Sequence, residues 1–288
     1  MSKIITLKNG SSSCEISTLG AELRSYIVDG KERIWQGAEG FWVGRSPILF
    51  PVCGRLLNGF YTCDGKRYDM RAHGFIKASE FEVVNQEQST ATFLYESNEE
   101  SLKLYPYNFK FRVMYKLTSD SLKIYFIVEN HSSEKMYYSA GCHEGYTISS
   151  DLKDYYLTFD GGEEEISTTV MVNNFTTPNK EVVKLSKNGL KLSDYFREDN
   201  NGDSVVIENV KSKRVSLVKD GEEELSVYFN DFKHLVLWTQ YGARFFAIEP
   251  WNGLPDAYDT NNDLKTKLAI ETLEPGESKT LYHSITAY

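Results

Sequence analysis

The chain has no apolar run approaching the roughly 20 residues that cross a bilayer as a helix, and its opening residues, MSKIITLKNG, have no signal-peptide apolar core. A cytoplasmic location with no membrane partner is the expectation. Positive charge is also short: 32 Lys and Arg stand against 41 Asp and Glu, a formal net charge of −9. Such a field repels phosphate backbones and anionic lipid, so nucleic acid is not expected as a partner. The four cysteines, Cys14, Cys53, Cys63 and Cys142, lack paired CxxC spacing, and no histidines cluster beside them in sequence. Reduced thiols and no metal site are expected. No GxxxxGK[ST] loop, GxGxxG turn, GxSxG elbow or HExxH helix occurs, which argues against phosphoryl transfer and gives no reason to expect a cofactor.

Helical periodicity is scarce too. Only Glu99 to Leu104 and Ser193 to Phe196 could form a turn or two of helix. Alternating, β-rich runs recur instead, as in FRVMYKL (Phe111 to Leu117), LKIYFIVE (Leu122 to Glu129), ELSVYFN (Glu224 to Asn230) and KTLYHSIT (Lys279 to Thr286). Turn residues between them, at Ser119 to Ser121, Asp160 to Gly162 and Lys219 to Glu223, predict antiparallel neighbours. Asp199 to Asp203 and Thr176 to Glu181 read as loops, and the last run should tie the C-terminus into a sheet. The predicted fold is all-β, a large antiparallel β-sandwich. Nothing marks a linker, a composition break or a repeat, so residues 1–288 are read as one domain.

Three segments carry polar groups that a plain strand does not need. The first, Arg45 to Phe75, holds Arg55 beside Gly54 and the step His73-Gly74; a hairpin with Arg55 solvated and His73 capping a turn explains it equally well. The second, SAGCHEGY (Ser139 to Tyr146), sets His143 between Cys142 and Glu144, with Gly141 and Gly145 permitting close approach. A lone histidine is usually structural, but its ordinary pKa near neutrality suits it to acid or base work. The third, Arg244 to Thr260, contains Phe245-Phe246-Ala247-Ile248, apolar on both parities and therefore buried on both faces. Glu249 follows it, with Pro250 expected to end the ladder. A carboxylate there would have a raised pKa, as a general base requires, or would merely solvate a turn. One Glu, two His, one Arg and several Trp fit proton transfer on a sugar or polyol stacked on aromatic faces. A glycosidase pairing of Glu249 with Asp256 or Asp259 remains open.

Taken in order, STLGAELRSY (Ser17 to Tyr26), RIWQG (Arg33 to Gly37), Phe41-Trp42, PILFPVCGRLLNG (Pro47 to Gly59), YDMRAHGF (Tyr68 to Phe75), SAGCHEGY, LVLWT (Leu235 to Thr239) and FFAIEPWNGLPD (Phe245 to Asp256) resemble the aldose 1-epimerase (galactose mutarotase-like) family, in its LacX-like branch. The resemblance implies a mutarotase-type supersandwich with an open sugar cleft, and interconversion of α and β anomers without a cofactor. It assigns Glu249 as base on the anomeric hydroxyl and His143 as acid on the ring oxygen, facing each other across the sugar. It assigns His73 and Arg55 to the sugar hydroxyls, and Trp238 and Trp251 to stacking or the pocket wall. The substrate it implies is a free or phosphorylated hexose; Arg45, Arg71 and Lys77 flank the matched motifs. In one respect the chain departs from the family: Glu144-Gly145 follow the histidine where Pro and a small residue are usual. Glu144 is expected either to raise the pKa of His143 or to point into solvent. A non-catalytic sugar sensor on the same fold is the alternative. Oligomeric state leaves no mark in the sequence.

Overall fold

Alternation in the sequence becomes alternation in burial. In the computed structural model, which describes residues 2–200 and 204–288, the strands Phe109–Leu117 and Leu122–Asn130 pair antiparallel from Phe109↔Asn130 to Leu117↔Leu122. Every second residue is buried, including Phe111, Val113, Tyr115, Ile124, Phe126 and Val128. Each large apolar side chain taken out of water contributes about 1.5–3 kcal/mol, so this face determines which way the sheet turns.

These two strands lie in a nine-stranded antiparallel sheet with Ser278–Ala287, Glu222–Tyr228 and Arg214–Lys219 on one side and Thr90–Glu96 and Glu82–Gln86 on the other. An eight-stranded sheet packs against it. Its order runs Phe175–Lys184, Glu165–Val172, Val205–Glu208, His234–Trp238, Phe245–Asn252, Ala140–Cys142 and Ile48–Leu49, and Gly145–Thr147 also pairs with Phe245–Asn252. One apolar core fills the space between, joining Phe126, Val227 and Ile285 of the first sheet to Leu235, Phe246 and Ile248 of the second. The all-β sandwich is therefore as expected, and Ser278–Ala287, paired on both sides, ties in the C-terminus. Among the described residues no helix is long and apolar enough to cross a membrane.

Glu99–Leu104 is a helix because Asn98 caps it: its Oδ1 accepts from Ser101 N–H at 3.0 Å, and Ser101 Oγ accepts from Asn98 N–H at 2.8 Å. Near Ser193 only a short 3₁₀ turn forms, over Leu192–Asp194. Three expectations need correction. The turn at Asp160 to Gly162 does not make a hairpin, because Tyr155–Phe159 belongs to the nine-stranded sheet and Glu165–Val172 to the eight-stranded one. Thr176 to Glu181 is not a loop but part of the edge strand Phe175–Lys184, where an exposed edge tolerates Pro178. Of the predicted loop at Asp199 to Asp203, Asp199 and Asn200 end a 3₁₀ turn, and 201–203 lie outside the described residues.

A fourth correction shapes the site. Phe245–Asn252 is buried at all eight positions, but Pro250 does not end its ladder, which continues through Leu235↔Pro250 and His234↔Trp251. Proline supplies no N–H to the facing Cys142 carbonyl. That carbonyl accepts from the Trp251 indole Nε1 instead, at 3.0 Å. The replacement keeps the strand in the sheet and fixes the Trp251 ring.

Candidate active site

The strand holding Glu249 meets two short segments, Ala140–Cys142 and Gly145–Thr147, in one common register: Gly141 faces Trp251 and Gly145 faces Ala247. His143 and Glu144 interrupt the pairing between them. Continued through the interruption, the register sets His143 opposite Glu249 and Glu144 opposite Ile248, and the Ile248 N–H donates to the Glu144 carbonyl at 3.3 Å. Residues directly opposite each other present their side chains on one face. The outcome is His143 Nδ1 lying 3.4 Å from Glu249 Oε2, with both atoms buried and neither hydrogen-bonded.

Gly141 and Gly145 have a steric reason. A Cβ at Gly141 would come within 2.8 Å of Trp251 Cδ1, and one at Gly145 within 2.8 Å of Trp42 Cζ3. The glycines thus admit two aromatic walls beside the histidine. Trp42 stacks on the His143 ring with centroids 4.8 Å apart, and Trp238 meets that ring edge-on at 5.4 Å. The Trp42 carbonyl accepts from Trp35 Nε1 at 2.7 Å, which anchors the wall.

His73 approaches from a turn in which it adopts φ 65°. Its N–H donates to the Gly54 carbonyl at 2.8 Å, while its Nδ1 accepts from Gly54 N–H at 3.2 Å. With Nδ1 occupied as an acceptor, the proton of the neutral ring sits on Nε2. The ring stands edge-on to His143 at 5.4 Å and to Trp251 at 5.6 Å. Arg55 is exposed on the cleft lining, neither buried nor turned away. A buried ion pair holds its loop: Asp256 Oδ1 accepts from Lys267 Nζ at 2.7 Å, Asp256 Oδ2 from Leu57 N–H at 2.8 Å, and the Arg55 carbonyl from Asp256 N–H at 2.9 Å. Asp256 is consequently no second carboxylate for a glycosidase, and Asp259 is exposed outside the cleft lining.

All six residues singled out in the sequence (His143, Glu249, His73, Arg55, Trp238 and Trp251) line one cavity of about 270 Å³. That is close to the lower end of small-molecule sites, roughly 300–1,000 Å³, and suits one small ligand. Six further residues line the cavity, of which Trp42, Gly54, Val236 and Pro255 stand in the matched motifs and Asn174 and Ser204 do not. Trp42 was thereby legible as an aromatic wall; Asn174 and Ser204 carried no mark of their own. The basic residues weighed for a phosphate divide. Arg71 and Lys77 line an adjoining groove that shares Arg55 with the cleft, and Lys77 Nζ donates to the Ala72 carbonyl at 3.0 Å. Arg45 donates instead to the Arg24 carbonyl at 3.0 Å.

Burial dominates the electrostatics. It raises the Glu249 carboxyl well above the usual range, and the charge of Glu144 pushes the same way. Burial pulls His143 down to about 3, with its own backbone opposing the effect and the Lys77 charge adding to it. His73 also falls well below its ordinary value, through burial first and the neighbouring His143 second. The cleft therefore favours a neutral carboxyl beside a neutral imidazole. That pair holds the same single acidic proton as a carboxylate beside an imidazolium, and the two members titrate together.

Glu144 does neither of the things expected of it. Alternation along the segment turns it to the opposite face from His143, into the core, where it is 3% exposed. There Glu144 Oε1 lies 2.9 Å from Nε2 of His283, a residue of the nine-stranded sheet.

The aldose 1-epimerase family model matches residues 3–286. The chromosomal protein LacX of Lactococcus lactis subsp. lactis is 30% identical over 300 residues, covering 98% of each chain. Among solved structures, the galactose mutarotase related enzyme from Lactobacillus acidophilus superposes with a TM-score of 0.89 at 30% identity, over 99% of this chain and 97% of that one. A galactose mutarotase-like protein from Lactobacillus casei ATCC 334 gives a TM-score of 0.90 at 28% identity, over 99% of this chain and 100% of that one. The protein belongs to the aldose 1-epimerase family.

Proposed function

We propose that the protein is an aldose 1-epimerase that opens and recloses the ring of a free or phosphorylated hexose, with residues 1–288 acting as one unit. The observation that carries this is the cross-strand pair His143 and Glu249, 3.4 Å apart in a cleft walled by tryptophan. The two oxygens that must exchange protons, O1 and the ring oxygen, are bonded to the same carbon. A side-by-side acid and base suits them, and a separation of 3.4 Å leaves no room for a sugar ring between those two atoms. The expectation of partners on opposite sides of the ring is revised accordingly.

In the reactive form Glu249 is a carboxylate and His143 an imidazolium. Glu249 accepts the proton of the anomeric hydroxyl while His143 donates one to the ring oxygen. The bond from C1 to the ring oxygen breaks as C1=O1 forms. The aldehyde turns about its bond to C2, the ring oxygen attacks the other face, and each proton returns. Acid and base contribute roughly 10²- to 10⁴-fold each. The His73 Nε2–H and the Arg55 guanidinium supply donors to the hydroxyls.

A specific observation favours a second reading. Burial pushes both members of the pair toward their neutral forms, which suits a sugar-binding sensor better than a catalyst that needs them ionised. Polarimetry or NMR saturation exchange with glucose, galactose and their 6-phosphates separates the two. Accelerated interconversion, lost in Glu249→Gln and His143→Ala, supports the enzyme; binding without acceleration supports the sensor.

A further inference from the structure

The catalytic reading leaves unused a second acid–imidazole pair, buried on the other face of the same sheet segment. Glu144 and His283 are 3% and 0% exposed, come from opposite sheets, and meet at 2.9 Å. The His283 ring packs edge-on against Phe126 at 5.6 Å and Phe232 at 5.7 Å, so it has little freedom to move. We propose that Glu144, held by His283, is a positioning residue for Glu249: it pins the interrupted strand so that His143 stays opposite Glu249, and it keeps a negative charge behind that carboxyl. This rests on the proposed acid–base role of Glu249.

Two features support it. The first is mechanical. The interruption is two residues long, its outer member is the cleft histidine, and its inner member is anchored across the core. The backbone on both sides is bonded as well: His143 N–H donates to the Pro47 carbonyl at 3.1 Å, and Ile248 N–H to the Glu144 carbonyl at 3.3 Å. Fixing Glu144 therefore fixes the strand position next to Glu249.

The second is electrostatic. His283 Nδ1 has no partner, so a proton there would be a buried donor without an acceptor. The geometry favours a ring N–H on Nε2 donating to Glu144 Oε1. Among the described residues, the other titratable groups that act on Glu144 or Glu249 include Cys53, Cys142, Tyr115 and Tyr146, and burial raises all four above their ordinary values, so they remain neutral. Lys77 acts on the His143 side of the cleft. Glu144 is thus the anion that acts on Glu249, second only to burial in raising it. A more basic carboxylate is a better proton acceptor for a sugar hydroxyl.

The test is a carbon-13 NMR titration of Glu249 in full-length protein with labelled glutamate, without sugar, the Glu249 signal being assigned by its loss in Glu249→Gln. In Glu144→Gln the Glu249 titration is expected to fall by about half a pH unit or more. If that variant does not fold, Glu144→Leu with His283→Phe fills the same space with an apolar pair, a replacement that buried charged pairs often tolerate and a hydrogen-bonded pair should too, and the same shift is expected. An unmoved Glu249 titration in the variant that folds overturns the proposal. Where the wild type interconverts anomers, the acid limb of the kcat profile should move with the NMR shift at nearly constant KM, which a merely structural role would not produce. Because the titration needs no substrate, absence of turnover would sink the epimerase reading alone.

Discussion

Glu249 Oε2 and His143 Nδ1 lie 3.4 Å apart as cross-strand neighbours, each without a hydrogen-bond partner. Buried polar groups are nearly always satisfied, and leaving one unpaired costs about 1–3 kcal/mol. An acid and an imidazole held in that condition form a site kept ready for a polar ligand.

Glu249→Gln preserves size and should preserve the fold while lowering kcat by roughly 10²- to 10⁴-fold. Saturation-exchange NMR on the wild type and the variant checks this. An equal rate in both would remove Glu249 from the chemistry.

The same carboxyl should make stability depend on pH. Its folded pKa is raised, so the folded state keeps a proton that the unfolded chain releases above about 4.5. The stabilising contribution is complete below that point and is lost as pH rises toward the folded value. Glu249→Gln should therefore melt higher than wild type at pH 8, with the gap closing near pH 4. His143 behaves oppositely: with a pKa lowered to about 3, its contribution is present above pH 6.5 and declines from there toward pH 3. Calorimetric melting curves at pH 4, 6 and 8 test both signs.

Gly141→Ala and Gly145→Ala each drive a methyl against a tryptophan of the cleft wall. Overpacking of this kind costs about 1–3 kcal/mol. On the proposed reading, in which the rings contact the sugar without moving protons, KM should rise more than kcat falls. Steady-state kinetics on both variants is the measurement, and an unchanged KM would show that the walls are not sugar contacts.

Lys267 is buried and its pKa is depressed by burial, with Asp256 as its partner in an ion pair beneath the Arg55 loop. Asp256→Asn should cost roughly 3–5 kcal/mol in urea denaturation, since it strands a buried charge. Lys267→Met combined with Asp256→Asn should recover part of that loss. No recovery would mean that Asp256 acts through its Leu57 hydrogen bond alone.

Much of this arrangement was legible in the residues. The run Phe245 to Ile248 announced a strand buried on both faces, the glycines around His143 announced close approach, and the order of motifs pointed to the family. The misreadings were of partners. Thr176 to Glu181 looked like a loop because its edge strand carries polar residues and a proline. Pro250 looked like a terminus because nothing local reveals that Trp251 donates in its place. Trp42 was part of a motif, but its stacking on His143 depends on a glycine about a hundred residues away.

Alternation and turn chemistry act between neighbours in the chain, so the sequence alone determined the all-β class, most of the strands and the residue types of the cleft. Only the tertiary structure decided which residues meet. The register that sets His143 against Glu249 is a pairing of segments more than a hundred residues apart. The direction of Glu144 depended on what lay beneath it: strand alternation turns it away from the cleft, and His283, 139 residues further on, meets it there. Burial, the property that moves the pKa values of this site, exists only once two sheets have closed over these groups.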